Sequence, residues 1–207
     1  TNNIAKSIES AIYKRENDII NSGSFDAFYA IFEQELFKTL DRSLHYYENF
    51  QSVRARDVNL VSTLFFEGSI ERAKSITQGG AKNAIANCKL IGITTVVDSL
   101  AIVKQFVYDK KMITMEDLAN ALKSDWKGYE DLRNIILKKG NFFGNDDETS
   151  NECADRFAKS LSEYFNDKTS NFGYRYLVGN LIGYNQHNKW FGDVTKATPD
   201  GRFAGDI

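Results

Sequence analysis

The stretch Ser24-Phe-Asp-Ala-Phe-Tyr-Ala-Ile-Phe-Glu-Gln-Glu-Leu-Phe-Lys-Thr-Leu-Asp-Arg-Ser-Leu-His-Tyr-Tyr47 carries the clearest structural signal in the sequence. Its apolar side chains recur at steps of three and four residues, which places them on one stripe of a helix. The members of this stripe are Phe25, Tyr29, Phe32, Leu36, Leu40, Leu44 and Tyr47. Ser24 stands before the stripe as a residue suited to cap a helix N-terminus. The stretch therefore predicts a long amphipathic helix that begins after Ser24.

Similar periodic patterns predict helices elsewhere in the chain. Asp57 is expected to cap one of them, and Thr114 with Asp117 resembles a capping box at the start of another. Gly140 follows two lysines, an arrangement typical of a helix C-terminus. A single proline among 207 residues leaves room for uninterrupted helices. The predicted helices span residues 4–20, 57–73, 93–108, 114–122, 129–137 and 150–165.

The pattern changes over residues 173–190, which are rich in Tyr, Leu, Val and Ile and contain Gly173, Gly179 and Gly183. No helical stripe runs through this segment, and its composition favours a strand in part of it. The predicted fold class is therefore mainly α with a minor β part. We expect one domain over residues 1–207, helical over 1–170 and strand-containing over 171–207.

Composition and charge exclude several classes of protein. The 26 basic and 28 acidic residues are interspersed and give a net charge of −2, which offers no basic face for nucleic acid. No apolar stretch is long enough to span a bilayer, and the first residues lack the apolar region of a signal peptide. Two cysteines, Cys88 and Cys153, do not suggest a disulfide framework. We therefore expect a cytoplasmic protein that binds neither nucleic acid nor membrane.

The cysteines and histidines offer little catalytic chemistry. Cys88 could be a nucleophile or a thiyl radical, but its neighbours supply no base, and a structural role is the favoured interpretation. Cys153 lies on an amphipathic helix and is also interpreted as structural. His45 and His187 are far apart in the sequence and suggest no metal site. No catalytic residue and no metal ligand are therefore predicted.

Two short segments could bind ions, and each has a simpler interpretation. Asp146 and Asp147 in the acidic 144–148 segment could bind a hard cation, or could belong to a turn before the next helix. The segment Gly79-Gly80-Ala81-Lys82 could bind an anion through backbone amides, but it lacks Walker spacing, so a closely packed turn is favoured.

Four segments, in the same order, resemble the glycyl radical enzymes, the superfamily of pyruvate formate-lyase and the diol dehydratases. The first two are Ser69-Ile-Glu-Arg-Ala-Lys-Ser-Ile-Thr-Gln-Gly-Gly-Ala-Lys82 and Ile91-Gly-Ile-Thr-Thr-Val-Val-Asp-Ser-Leu-Ala-Ile-Val-Lys104. The last two are Phe143-Gly-Asn-Asp-Asp147 and Thr198-Pro-Asp-Gly-Arg202 with Gly205. The residues that carry the resemblance are Gly79, Gly80, Asp98, Gly144, Asn145, Asp146, Asp147, Thr198, Asp200, Gly201 and Arg202.

The resemblance implies radical chemistry on a small metabolite, of the lyase, dehydratase or formate acetyltransferase type. In this family a cysteine thiyl radical abstracts hydrogen from the substrate, and the radical is stored on a glycine. The sequence motifs of both residues are absent from these 207 residues, so we expect an internal fragment that is inactive alone. The expected partners are the remainder of the enzyme, an S-adenosylmethionine iron–sulfur activase that installs the radical, and a second copy in a homodimer. The resemblance also implies anaerobic metabolism.

The family fold is a ten-stranded α/β barrel wrapped in helices. The resemblance therefore implies that this chain supplies outer helices and a barrel strand over residues 181–190. Counting back from Gly192 and Thr198 places Gly183 and Asn185 on the pocket-lining face of that strand. These two residues favour a substrate that is more polar or bulkier than pyruvate.

A second function stays open at this point, namely a free-standing helical interaction module that descends from the family and has no catalysis. The segments 54–58 and 83–87 depart from the diol dehydratase pattern, so the sequence does not define the subfamily or the substrate.

Overall fold

The computed structural model describes residues 2–180 and 185–206. In these ranges the chain is mostly helical and contains one three-stranded parallel sheet. The strands are β1 (Asn2–Asn3), β2 (Ile85–Ile91) and β3 (Arg175–Asn180). The helices are α1 (Ala5–Lys14), α2 (Glu16–Ile20), α3 (Phe25–Arg54), α4 (Leu60–Thr63), α5 (Ile93–Ile102), α6 (Met115–Lys123), α7 (Glu130–Lys139), α8 (Glu148–Phe165) and α9 (Asn185–Asp193). No helix in the described ranges is both long enough and apolar enough to cross a membrane.

The sheet is built around β2. The strand order is β1-β2-β3, and both neighbouring strands run parallel to β2. Six residues of β2 pair with β3, from Ile85 opposite Arg175 to Leu90 opposite Asn180. Two residues pair with β1, namely Leu90 with Asn2 and Ile91 with Asn3. Because β1 is short, much of one edge of β2 has no neighbouring strand among the described residues.

Helices cover one face of the sheet. The side chains of Ala86, Cys88 and Leu90 point to that face and join the core formed by α1, α3, α5, α6 and α8. Ile85, Asn87 and Lys89 alternate with them on the other face and are exposed. The described residues therefore leave one face of a parallel sheet open, although parallel sheets are normally covered on both faces.

The long helix predicted from residues 24–47 is confirmed. The Ser24 hydroxyl accepts a hydrogen bond from the Ala27 N–H at 3.2 Å and caps α3. Phe32, Leu36 and Leu40 are fully buried on one side of α3, and Tyr29 is buried beside them. The helix continues to Arg54, beyond the residues of the predicted stripe.

The predicted helix over residues 93–108 is also present, but its second half is wound more loosely. Residues Ile93–Ile102 form α5, and Val103–Asp109 form a π-helix that continues it. The predicted capping box at the start of α6 is confirmed, because the Thr114 hydroxyl accepts from the Asp117 N–H at 3.0 Å. The Asp117 carboxylate in turn accepts from the Thr114 N–H at 3.1 Å.

One of the predicted helix starts is wrong. Asp57 does not cap a helix; the Asn59 side chain accepts from the Ser62 N–H at 2.9 Å and caps α4, which has only four residues. The apolar side chains of the stripe predicted over 57–73 are exposed among the described residues. No packing therefore holds this segment as one long helix. The helix end predicted at Gly140 is confirmed, because α7 ends at Lys139 after two lysines, although Gly140 is extended, with φ −71° and ψ 147°, rather than left-handed. A Cβ at Gly140 would lie 2.6 Å from the Ile136 carbonyl oxygen, so close packing requires this glycine.

The strand prediction is only partly correct. Residues 175–180 form β3, within the predicted 173–190 segment. Residues 185–193 form α9, so the barrel strand expected over 181–190 is wrong from residue 185 onward. The strands β1 and β2 were not predicted, and both lie in the region expected to be helical.

The loop between α4 and β2 folds back on itself around Gly79 and Gly80. Gly79 has φ 85°, and a Cβ there would lie 2.6 Å from the Phe172 carbonyl oxygen. A Cβ on Gly80 would overlap the Lys74 carbonyl oxygen. Lys82 N–H donates to the Glu67 carbonyl at 2.8 Å and closes the loop. The geometry favours the closely packed turn over the anion-binding interpretation.

We expect Gly80→Ala to lower the free energy of unfolding by about 2 kcal/mol or more, because the added methyl group meets a backbone atom that cannot move aside. Gly179→Ala is the matched control, since a Cβ there has 3.4 Å to its nearest neighbour, the Asn87 side-chain oxygen. Chemical denaturation of both variants measures the difference. Equal stability of the two would contradict the packing described for Gly80.

Candidate functional site

The residues of the last motif, Thr198–Arg202, form a closed turn. The Gly201 N–H donates to the Thr198 carbonyl at 3.1 Å, and the Thr198 N–H donates to the Arg202 carbonyl at 3.2 Å. The Thr198 hydroxyl donates to the Asp200 carboxylate at 2.6 Å. Gly201 has φ 91°, a left-handed conformation that glycine adopts without strain. The motif therefore specifies a local backbone shape.

The Arg202 guanidinium binds four backbone carbonyl oxygens. Its nitrogens donate to Gly192 at 3.0 Å, Lys196 at 2.9 Å, Thr195 at 3.4 Å and Asp206 at 2.5 Å. Gly192 lies in the last turn of α9, where a positive charge stabilises the exposed carbonyls of a helix end. Because its donors are engaged by the backbone, Arg202 has a structural role in this arrangement.

The turn is anchored to the segment around α6 and α7. Arg133 Nε donates to the Gly201 carbonyl at 2.6 Å, and its guanidinium stacks over the Phe203 ring at 3.9 Å. The indole N–H of the buried Trp126 donates to the Arg202 carbonyl at 3.2 Å. These bonds fix residues 198–203 against the helical body.

Asp98 connects two other motif segments. Its carboxylate is buried on α5 and accepts a hydrogen bond from the Phe143 N–H at 2.7 Å. Burial, together with the charge of nearby Asp200, raises the pKa of Asp98 to about 6, against the lowering effect of the Phe143 hydrogen bond. Burial also raises the pKa of Asp200. Three of the four motif segments thus meet around the carboxyl groups of Asp98 and Asp200.

The acidic turn after Phe143 has a structural explanation. Gly144 and Asp146 have positive φ angles of 94° and 55°. The Asp147 side chain accepts from the Ser150 N–H at 2.9 Å and caps α8. Among the described residues, no group of three His, Cys, Asp or Glu side chains is placed to hold a metal ion. The arrangement of Asp147 favours the turn interpretation of this segment.

Cys88 lies on the covered face of β2, next to a cavity of about 360 Å³ between the sheet and α3. The Asn2 side-chain amide donates to its Sγ at 3.2 Å. Burial raises the pKa of the Cys88 thiol, so the thiolate is disfavoured at neutral pH. Burial likewise raises the pKa of Cys153 to about 11. Both observations agree with the structural interpretation of the cysteines.

Of the two positions predicted to line a pocket, Gly183 lies outside the described residues. Asn185 is the first residue of α9, so the strand position predicted for it is wrong. A role of either residue in a pocket stays a prediction.

The open face of the sheet is the site feature that the sequence analysis missed. Asn87 and Lys89 project from β2 on this face, and their register partners on β3 are Leu177 and Gly179. Leu177 is 47% exposed, and Asn87 and Lys89 are also exposed. The alternating pattern of residues 85–91 was the signal for this strand. These residues place an amide, an ammonium group and an apolar side chain on one surface.

We expect Asp98→Asn to be more stable than the wild type above pH 6, by about 1–3 kcal/mol, and to lose this advantage in acid. The pKa of Asp98 is raised from 3.8 to about 6 in the folded state. The stability that the protonated Asp98 side chain contributes is therefore fully present below about pH 4 and is lost as pH rises through 6. An asparagine keeps an oxygen that can accept from Phe143 N–H but carries no charge.

Denaturation between pH 4 and pH 8 measures this dependence. Asp146→Asn, on an exposed residue of the same region, is the control for the loss of one acidic side chain. A constant difference between Asp98→Asn and wild type across this range would contradict the prediction.

Comparisons with known proteins agree with the fold and with the family resemblance. A family model described as pyruvate formate lyase-like matches residues 2–182. Trans-4-hydroxy-L-proline dehydratase of Clostridioides difficile is 30% identical over 182 residues, which cover 82% of this chain and 22% of that protein.

Two solved structures show the same fold. Hydroxyproline dehydratase from Clostridioides difficile, with trans-4-hydroxy-L-proline bound, gives a TM-score of 0.90 at 23% identity, covering 98% of this chain and 27% of that one. The glycerol-bound B12-independent glycerol dehydratase from Clostridium butyricum gives 0.88 at 25% identity, covering 99% and 27%. The chain therefore spans 22% to 27% of the length of these relatives. It belongs to the pyruvate formate lyase-like family of glycyl radical enzymes.

Proposed function

We propose that this chain is an internal part of a glycyl radical enzyme that acts on a small, hydroxylated metabolite. The main observation behind this proposal is the open face of the parallel sheet. In addition, the chain covers only about a quarter of the length of each relative. The radical chemistry would be supplied by a cysteine and a glycine outside these 207 residues. The described residues would bind and orient the substrate and hold the surrounding scaffold together.

An exposed apolar surface supports the proposal that further protein packs on this chain. Within the described residues, large apolar side chains from the end of α3 to the loop after α4 face solvent. Val61 is 71% exposed, Leu64 is 65% exposed and Phe65 is 84% exposed. Soluble monomers rarely expose contiguous apolar patches larger than a few hundred Å². We name Tyr46, Phe50, Val53, Val58, Leu60, Val61, Leu64, Phe65, Phe66 and Ile70 the apolar patch.

The open sheet face is the part that we assign to substrate binding. Asn87 can donate and accept hydrogen bonds, and Lys89 offers a positive charge. Leu177 adds an apolar contact beside them in the register of the sheet. These groups suit a small substrate that carries hydroxyl and carboxylate groups. In addition, Gly183 and Asn185 remain proposed pocket residues, on the family resemblance alone.

The motif residues are assigned to the scaffold. The bonds of Arg202, Asp98 and Asp147 are all made to backbone groups of this chain. Their proposed role is to fix the segments on which the rest of the enzyme is built. The reaction would be a dehydration or another lyase-type cleavage, since the relatives compared above are dehydratases.

The proposed partners follow from the family. A radical S-adenosylmethionine activase with an iron–sulfur cluster would install the glycyl radical on the complete enzyme, and a second copy would complete a homodimer. We propose a cytoplasmic location and anaerobic conditions for this reaction.

In the complete enzyme, activated under anaerobic conditions, we expect Lys89→Met to lower kcat/KM for the substrate about tenfold, equivalent to about 1.4 kcal/mol. The glycyl radical signal, measured by electron paramagnetic resonance, should keep its wild-type intensity. Lys82→Met is the matched control, because Lys82 pairs with Glu67 on the surface at 2.6 Å. A complete gene product that yields no glycyl radical would overturn the proposed function. A tenfold loss that also appears for Lys82→Met would overturn the role of Lys89.

The alternative function is a free-standing helical interaction module without catalysis. It predicts that the 207-residue chain alone is monodisperse and binds little apolar dye. The exposed apolar patch favours the opposite result, since uncovered apolar surface promotes association.

We expect the isolated chain to bind an apolar fluorescent dye and to self-associate on size-exclusion chromatography. The double variant Leu64→Glu, Phe65→Glu should reduce both effects, because it places two charges in the apolar patch. Lys159→Glu, an exposed change on α8, is the control. A monodisperse chain with little dye binding would support the module.

A further inference from the structure

Two buried tyrosines donate their hydroxyl hydrogens to carboxylates of α3. Tyr164 lies near the end of α8, and its hydroxyl donates to the Asp41 carboxylate at 2.5 Å. Tyr176 lies on β3, and its hydroxyl donates to the Glu48 carboxylate. The two tyrosines are only 8% and 7% exposed, so their rings are enclosed by protein. Each tyrosine therefore has a proton acceptor within hydrogen-bond reach.

Aromatic contacts connect the two tyrosines. The Tyr164 ring lies 4.9 Å from the Phe165 ring, and the Phe165 ring lies 6.3 Å from the Tyr176 ring, measured between centroids. The Tyr176 ring in turn lies 5.9 Å from the ring of Tyr47 on α3. All three distances are in the range of direct aromatic contact. The rings thus form a continuous row between α3, the sheet and the end of α8.

The row leads from a cavity to the protein surface. Tyr47 and Tyr176 line the cavity of about 360 Å³ between the sheet and α3. At the other end, Asp41 is exposed, and the Lys168 ammonium group lies 3.8 Å from the centroid of the Tyr164 ring. The two tyrosines that are bonded to carboxylates therefore occupy an inner and an outer position in the row.

The use of carboxylates as acceptors is informative. A backbone carbonyl also satisfies a tyrosine hydroxyl, as in the bonds of Tyr13 to the Leu122 and Ala197 carbonyls. A carboxylate can in addition take up the proton. Burial and then the bonded carboxylate raise the pKa of Tyr164 and of Tyr176, so neither residue gives its proton to water at neutral pH. When a ring loses an electron, its proton has a direct path to the bonded carboxylate.

We propose that Tyr176 and Tyr164 form a redox relay that draws off a radical that has failed to react with substrate. The proposal rests on the proposed function, because its oxidant is a thiyl radical of the complete enzyme. In the first step, the thiyl radical takes one electron from Tyr176 and becomes a thiolate, while the Tyr176 hydroxyl proton moves to Glu48. In the second step, the Tyr176 phenoxyl radical takes one electron from Tyr164 and recovers its proton from Glu48, while the Tyr164 proton moves to Asp41.

Photochemical oxidation of the complete protein tests the relay without the glycyl radical. Tris(bipyridine)ruthenium(III), generated by a light flash under anaerobic conditions, removes one electron at a time from the protein. Electron paramagnetic resonance should then show a tyrosyl radical, and the double variant Tyr164→Phe, Tyr176→Phe should lower its yield about fivefold or more. Tyr108→Phe is the matched control, because its half-buried ring also packs on aromatic rings, whereas its hydroxyl bonds to that of Ser22.

The double variant Asp41→Asn, Glu48→Gln tests the proton acceptors. Both amides keep an oxygen that accepts the tyrosine hydroxyl, but they take up no proton at neutral pH. We expect this variant to lower the tyrosyl yield about fivefold as well, because the proton has no acceptor. Glu163→Gln, on an exposed residue of α8 beside Tyr164, is the matched control. Circular dichroism identifies the variants that keep the fold.

A measurement on the wild type needs no variant. In deuterium oxide, the tyrosyl radical should form about twofold more slowly, because the hydroxyl proton moves together with the electron. An unchanged rate would overturn the transfer to the carboxylates. A tyrosyl yield that is the same in the wild type, the double tyrosine variant and Tyr108→Phe would overturn the relay.

The activated complete enzyme tests the role of the relay. Kept without substrate, the wild type should accumulate the tyrosyl signal, and the double tyrosine variant should lack it. Absence of the signal from the wild type would overturn this role. A photochemical tyrosyl signal in a complete protein that forms no glycyl radical would support the two tyrosines as a redox site and overturn the enzyme assignment. A glycyl radical in a protein whose two tyrosines are not oxidised would give the reverse result.

Discussion

The parallel register between β2 and β3 is the constraint on which the rest of the described structure depends. Parallel strands cannot be joined by a tight turn, so the chain between them must cross back over the sheet. Residues 92–174 make that crossover and contain α5 to α8. Because these helices return over one face, Ala86, Cys88 and Leu90 become core residues. The opposite face is left open among the described residues.

Local signals allowed much of the helical structure to be predicted from sequence. Ser24 and the Thr114–Asp117 pair mark helix starts through bonds to amides within three residues, so no distant information is needed. Asp57 failed as a cap because Asn59, two residues later, has the same capping chemistry. The choice between them depends on the backbone path of the loop, which the local pattern does not determine.

The strands were harder to predict, for two physical reasons. The alternation in β2 is carried by Ala86 and Cys88, small side chains that give a weak apolar signal, and by polar Asn87 and Lys89. A strand buried on one face is also stabilised by neighbours far away in the sequence, here Tyr176 and Val178 on β3. The expected strand over 181–190 is wrong from residue 185 onward for another reason, since the polar run of residues 185–189 has no apolar alternation that would favour a strand and forms the start of α9.

The motif residues, too, could be interpreted only in part from the sequence. Their order in the sequence predicted the family, but their meeting in space around Asp98 could not be read from spacing alone. Phe143 and Asp200 approach Asp98 from distant parts of the chain. In the sequence, the polar motif residues looked most suited to catalysis or binding. Their side chains form hydrogen bonds with backbone groups of this chain. Among the described residues, the exposed polar side chains of Asn87 and Lys89 lie instead on the open side of the sheet.

The short β1 strand has a consequence for how the chain folds. Its partner in the sheet begins at Ile85, so about eighty residues must be ordered or looped out before the first strand pair forms. The helix α3, in contrast, is built from contacts three and four residues apart and can form while the chain is still being made. We therefore expect the helices to appear early and the parallel sheet to be completed late. Until then, the peptide edge of β2 remains open to wrong partners.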